Sequence, residues 1–125
     1  MSLATLRSTL AGSFSALPAT VYATVPEVVI PPAIVLVPDT PYLVPNIINK
    51  SVTKVQVNYA ITVAVAYNSN PGSLDNLEQL IMSVLAALPA GYEVGNVTQP
   101  MPVRVGPSNL LAADILVSTQ YTEGA

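Results

Sequence analysis

The stretch VQVNYAITVAVAY, from Val55 to Tyr67, constrains this chain more than any other. Its odd positions, Val55, Val57, Tyr59, Ile61, Val63, Val65 and Tyr67, are all β-branched or aromatic, whereas the even ones read Gln56, Asn58, Ala60, Thr62, Ala64 and Ala66. Such alternation sends the two sets to opposite faces of a strand, so the odd face belongs to a core. The even face begins polar and then turns to alanine and threonine. Side chains that small let something flat come close, either a helix of the same chain or a neighbouring copy.

The segments around this strand set the rest of the order. Leu3, Leu6 and Leu10 share one stripe, with Ser2 placed to cap and Gly12 to stop, which predicts a short opening helix. From Pro18 to Pro45 there are seven prolines, at 18, 26, 31, 32, 38, 41 and 45, which forbid a helix and predict only short strand pieces between them. Ala33 to Val37 is the best piece, at or near a sheet edge, and Tyr42 to Ile48 is a second extended segment. After NSNPG, Ser73 is placed to cap a helix with Asp75 and Glu78 in its first turns, where the helix dipole favours carboxylates. Leu74, Leu77, Leu80, Ile81, Val84, Leu85 and Leu88 form its apolar face, with Ile81 central, and Leu88-Pro89-Ala90-Gly91 ends it. YEVGNVTQP and MPVRVGPSN supply two short strands. LLAADILVSTQY supplies the last, with Leu111, Ala113, Ile115, Val117 and Thr119 on one face and a frayed end from Thr122 to Ala125.

Two helices and several strands in one chain of 125 residues predict a single α+β domain over residues 1–125. The expected core is a mostly antiparallel sheet of four or five strands with about two helices packed on it.

Composition narrows the chemistry. There is no histidine and no cysteine, so the usual zinc sites and the usual acid–base and nucleophile pairs cannot be assembled. Ser73, Ser108 and Ser118 therefore lack an activating partner of those kinds. Asp75 with Glu78 reads as helix-start charge rather than a metal site. Asp114 has three readings: solvated, paired across strands with Arg104 or Lys54, or part of a site. No glycine spacing matches a phosphate cradle. The four Lys and Arg are scattered against seven Asp and Glu, a net charge of −3, which argues against sequence-specific nucleic-acid binding. The uncharged stretches Ser8 to Pro26 and Val55 to Leu74 are too diluted by polar residues for a compact signal core or a spanning helix, so no membrane association is expected. No enzyme and no cofactor are expected.

Charged residues are only 9% of the chain and hydrophobic ones 51%, so some apolar surface is expected to meet another protein. The small residues Ala60, Ala64, Ala66 and Ala112, together with Asp114, are the candidate subunit interface. The six tyrosines, at 22, 42, 59, 67, 92 and 121, suit partly buried core or interface positions.

The series LRSTLAG, PPAIVLVPDTPY, VNYAITVAVAYNSNPGSLDNLEQLIMSVLAALPAGYEVGNV and LLAADILVST resembles the tail terminator proteins of long, non-contractile-tailed bacteriophages. The likeness covers most of the chain and is one of pattern: opening helix, proline-flanked strand, long alternating strand, Leu/Ala helix closed by LPAG, and last strand running out of AAD. The stretch from Pro18 to Pro45 departs from a simple version of it. The resemblance implies a virion protein, assembled in the host cytoplasm, that forms a ring, commonly hexameric, on the end of the tail tube. Its partners would be itself, the tail tube protein and the head–tail connector. The alternatives are another head–tail joining or minor tail protein and, in a different class, a secreted binding module.

Overall fold

A computed structural model of the chain describes residues 3–24, 30–48, 52–67, 71–105 and 108–124. The element order is α1 (Leu3–Gly12), β1 (Thr20–Tyr22), β2 (Ala33–Ile48), β3 (Val52–Ala66), α2 (Pro71–Ala87), β4 (Tyr92–Val97), β5 (Met101–Val105) and β6 (Ser108–Gly124). The fold is α+β, and the described residues alone form a sheet of six strands, more than the expected four or five. They occupy five rows, in the order β1, β2, β3, β6, then β4 and β5 together. Because β3 fills one edge of β6 along its length, β4 and β5 must share the other. β4 pairs with residues 115–119 and β5 with 108–112, so the two are one ribbon interrupted at residues 98–100. Among the described residues, β1–β2 is the one parallel pair.

The alternating strand is as predicted up to Ala66, and Tyr67 lies beyond it, exposed. Val55, Val57, Tyr59, Ile61, Val63 and Val65 are buried, and across the ladder Ala113, Ile115, Val117, Thr119 and Tyr121 join them on the same face. Leu77, Leu80, Ile81 and Val84 of α2 and Leu10 of α1 pack into the same core, with Phe14 just beyond α1. Both helices therefore cover one face of the sheet.

Four details differ from the sequence reading. β2 runs unbroken through Pro38, Pro41 and Pro45. β1 pairs with it only over Ala33–Val35, so the rest of its outer edge is free of the β1 ladder and a proline costs little there. Register shifts between Pro38 and Leu43 and between Pro45 and Ile47 absorb the irregular backbone. The first shift is held in place by Asn58, whose Nδ2 donates to the Pro41 carbonyl at 2.8 Å.

The second helix begins at Pro71 rather than after Ser73. Proline suits a first helical position because the amide hydrogen it lacks would have no intrahelical acceptor. Ser73 thus lies inside the helix and is buried, and Asp75 and Glu78 fall beyond its first turn. The inward stripe also sits differently: Leu74 is 42% exposed, while Leu77 and Val84 are fully buried and Ile81 is 8% exposed. The centre of the packing is Leu77 with Val84. The helix closes as read, and Gly91 takes φ 93°, a conformation that favours glycine.

The last strand does not fray after Tyr121. Thr122, Glu123 and Gly124 pair with Lys54, Thr53 and Val52, because β3 is long enough to keep offering backbone partners. The expected Ser2 cap lies outside the described residues.

Leu77→Ala should cost about 2–5 kcal/mol of stability, since a fully buried leucine leaves a cavity that its neighbours fill only in part. The loss should exceed that of Ile81→Ala, and Leu74→Ala should stay within about 0.5 kcal/mol. Chemical denaturation of the three variants checks the order; equal midpoints for Leu77→Ala and Leu74→Ala would contradict this packing.

Candidate subunit interface

The even residues of β3 and β6 form the face of the sheet turned away from the helices. The register sets Ala64 opposite Ala112, Thr62 opposite Asp114, Ala60 opposite Leu116 and Asn58 opposite Ser118. β2 extends the floor with Ala33 opposite Ala64, Val35 opposite Thr62 and Val37 opposite Ala60. The five candidate residues Ala60, Ala64, Ala66, Ala112 and Asp114 are therefore brought together on one face, by two adjacent strands whose register never slips.

Part of this floor is covered within the chain. Ala33, Ala64, Leu110 and Ala112 form a small second core, with the Tyr22 side chain packed against it. The Tyr22 hydroxyl accepts a hydrogen bond from the Ile30 amide at 3.1 Å, which ties the chain leading into β2 to this end of the sheet. Ala64 and Ala112 thus have an intramolecular cover that is neither a helix nor a second copy. Ala60 is also buried, between the side chains of the neighbouring strands, whereas Ala66 is exposed. Tyr22 and Leu116 were not among the expected interface residues. Leu116 was readable, since it shares the face of Asp114 in strict alternation. Tyr22 was not, because a three-residue parallel strand amid prolines carries no periodic signal.

Asp114 is half-buried near the middle of this face. The Thr62 hydroxyl donates to its Oδ1 at 2.7 Å. Its backbone is pinned twice by the break in the edge ribbon: Asp114 N donates to Thr98 Oγ1 at 2.8 Å, and Thr98 N donates to the Asp114 carbonyl at 2.8 Å. Neither expected cation reaches it. Lys54 is on the same face but eight residues from Thr62 along β3, roughly 26 Å at the usual strand rise. Arg104 lies opposite Asn109, so its side chain leaves from the alternate face. Toward the Lys54 end the floor becomes polar, with Gln56 Nε2 donating to Asn58 Oδ1 at 3.0 Å.

The edge ribbon beside this floor is apolar and exposed. Val94, Val97, Met101 and Val103 are 40–60% exposed, and Glu93 and Arg104 are its only charged residues.

Elsewhere, a cleft of about 360 Å³ lies between the start of β2 and α2, lined by Pro18, Pro32, Val65, Asn76, Gln79 and Leu80 among others. Among the described residues no titratable side chain lines it. Ser83, at its wall, donates to the Gln79 carbonyl at 3.0 Å, as a helical serine does. Among the described residues no three Asp, Glu, His or Cys side chains come together as a metal-binding group, and no helix is long and apolar enough to cross a membrane.

One buried polar atom stands out in the core. Tyr59 is fully buried, its hydroxyl has no hydrogen-bond partner of good geometry among the described residues, and its ring meets that of Tyr42 edge-on at 5.9 Å. Burial, reinforced by Tyr42, pushes its pKa well above the ordinary tyrosine value. Burial also raises that of Tyr92. Above pH ~10 the unfolded chain loses a proton that folded Tyr59 keeps, so its contribution to stability, complete below pH ~10, is lost as pH rises.

Tyr59→Phe removes an unsatisfied buried hydroxyl and should raise stability at neutral pH by about 1–3 kcal/mol. The variant should also lose less stability than the parent between pH 9 and 11, with Tyr92 leaving a residual slope. Denaturant midpoints across that range check both; a destabilised variant with an unchanged alkaline slope would contradict this account of the hydroxyl.

Set against known proteins, the chain matches no family model and no curated sequence.

Proposed function

We propose that this protein is a structural subunit of a bacteriophage virion, which caps the tail tube as a ring of identical copies. In this reading it ends tube polymerisation and presents the surface that joins the tail to the head connector. The observation that carries the proposal is the sheet's asymmetry. Two helices close one face, while the other is a flat floor of small and apolar side chains, bordered by an exposed apolar ribbon. A chain with so few charges, and without the histidine or cysteine of the usual catalytic pairs, is better suited to be a building block than a catalyst. The sequence pattern adds the identity of the assembly, through its resemblance to tail terminators of long, non-contractile tails.

A ring follows when each copy offers two different patches and the rotation between neighbours closes. The floor and the ribbon are two such patches, side by side on one subunit. Six copies, the tube protein and the connector as partners, and a position at the head–tail junction of the virion belong to the same proposal.

Particles made without this protein should carry irregular, overlong tubes with no heads attached. Purified protein added to those tubes should bind at one end only and restore head joining, which negative-stain electron microscopy measures directly. Tails of normal length that join heads in its absence would sink this function.

A further inference from the structure

We propose that the cleft between α2 and the start of β2 is a binding site for an uncharged peptide segment in extended form, held through its backbone by the Asn76 and Gln79 carboxamides. The site lies on the helix side of the sheet and is independent of the ring reading above.

The two walls of the cleft differ in chemistry. One is α2, where Asn76, Gln79 and Ser83 fall on one stripe at i, i+3 and i+7. The other is formed by Pro18, Pro31 and Pro32, which present apolar rings and no backbone N–H. That wall is fixed where β1 joins β2, since Thr20 N donates to the Pro32 carbonyl at 2.9 Å. Val65 and Leu80, both buried, close the bottom. A cleft built between the sheet and its longer helix is formed before anything binds, which lowers the cost of binding.

The polar groups of the helix wall are unengaged. The Asn76 and Gln79 carboxamides make no hydrogen bond with the described residues, although each carries a carbonyl acceptor and two amide donors. Ser83 donates to the Gln79 carbonyl and keeps its own oxygen as an acceptor. Free carboxamides are ordinary on an open helix surface. These two border an apolar cleft, where a ligand that displaces water must replace the hydrogen bonds that water made. A peptide unit offers one donor and one acceptor, the complement of a carboxamide. From Asn76 to Ser83 the helix rises about 10 Å, the length of about three residues of extended chain.

Size and charge select the occupant. At about 360 Å³ the cleft is near the lower end of ligand pockets, and it is too small for a helix, which with its side chains is about 10–12 Å across. With no titratable group among the described lining residues, a charged side chain entering it would lose its hydration and gain no partner. Asp75 and Glu78, the carboxylates of α2, are exposed and outside the lining. Among the described residues no aromatic ring lines the cleft either, which removes the platform on which a nucleobase would stack.

The test titrates the full chain with acetyl-Ala-Leu-Ala-amide and follows heteronuclear NMR spectra that include the side-chain amides. Up to about 20 mM peptide, the side-chain signals of Asn76 and Gln79 should shift saturably. Peptides with glutamate or lysine in place of the central leucine should bind about fivefold more weakly or worse. Asn76→Ala combined with Gln79→Ala should weaken binding about tenfold, the worth of two neutral hydrogen bonds, with the backbone spectrum confirming the fold. Should that variant not fold, the peptide methylated at its leucine nitrogen, titrated against the parent protein, replaces it and should bind about threefold more weakly or worse. Absence of saturable shifts at the two side chains would overturn the site. Equal binding of a charged peptide would overturn the uncharged occupant, and binding unchanged by the double variant or by methylation would overturn recognition through the backbone.

Discussion

The ladder between β3 and β6 is the constraint on which the rest of the molecule depends. It pairs Val52 with Gly124 and continues without a slip to Ala66 with Leu110. A one-residue shift anywhere along it would send the valines and Ile61 to the open face and Gln56 and Asn58 into the core. Burial of one face in a helix-covered core therefore fixes the position of every side chain on the other. Asp114 meets Thr62, and Ala112 meets Ala64, because Ile115 and Ala113 must face the helices.

Irregularity is pushed outward from this ladder. β2, on one side, takes up its prolines and two register shifts, and the β4–β5 ribbon, on the other, takes up the bulges. The central strands hold both in place: the Asn58 side chain binds the Pro41 carbonyl, and the Asp114 backbone binds Thr98. Asn58 thus marks the open face as polar and also braces the sheet, so substitution there acts on packing as well as on any contact with a partner.

What could be read from the sequence follows from periodicity. β3 repeats every second residue and α2 every third or fourth, and each pattern is long enough to outweigh local exceptions. The floor of alanines was legible for the same reason, as was the grouping of Ala60, Ala64, Ala66, Ala112 and Asp114. The path of β2 was not, because proline reads as a break until it is known that β1 pairs with only the first three residues of its outer edge. The true start of α2 was hidden because Ser73 has the chemistry of a cap while Pro71 has the geometry of a first helical residue. The cover of Tyr22 over Ala64 and Ala112 joins residues some forty and ninety positions apart through a strand of only three residues. No local pattern encodes such a contact.

The two sheet edges differ in a way that bears on controlled assembly. Along β2 the prolines at 38, 41 and 45 remove backbone donors, so that edge is a poor template for another strand. The ribbon edge carries Pro100 and Pro102 but also four exposed apolar side chains, so it resists strand addition while still favouring burial. A subunit that joined neighbours by backbone pairing would recognise any extended chain and would have no natural end to its growth. One that joins them by side chains on a bulged ribbon needs a surface of matching shape and charge.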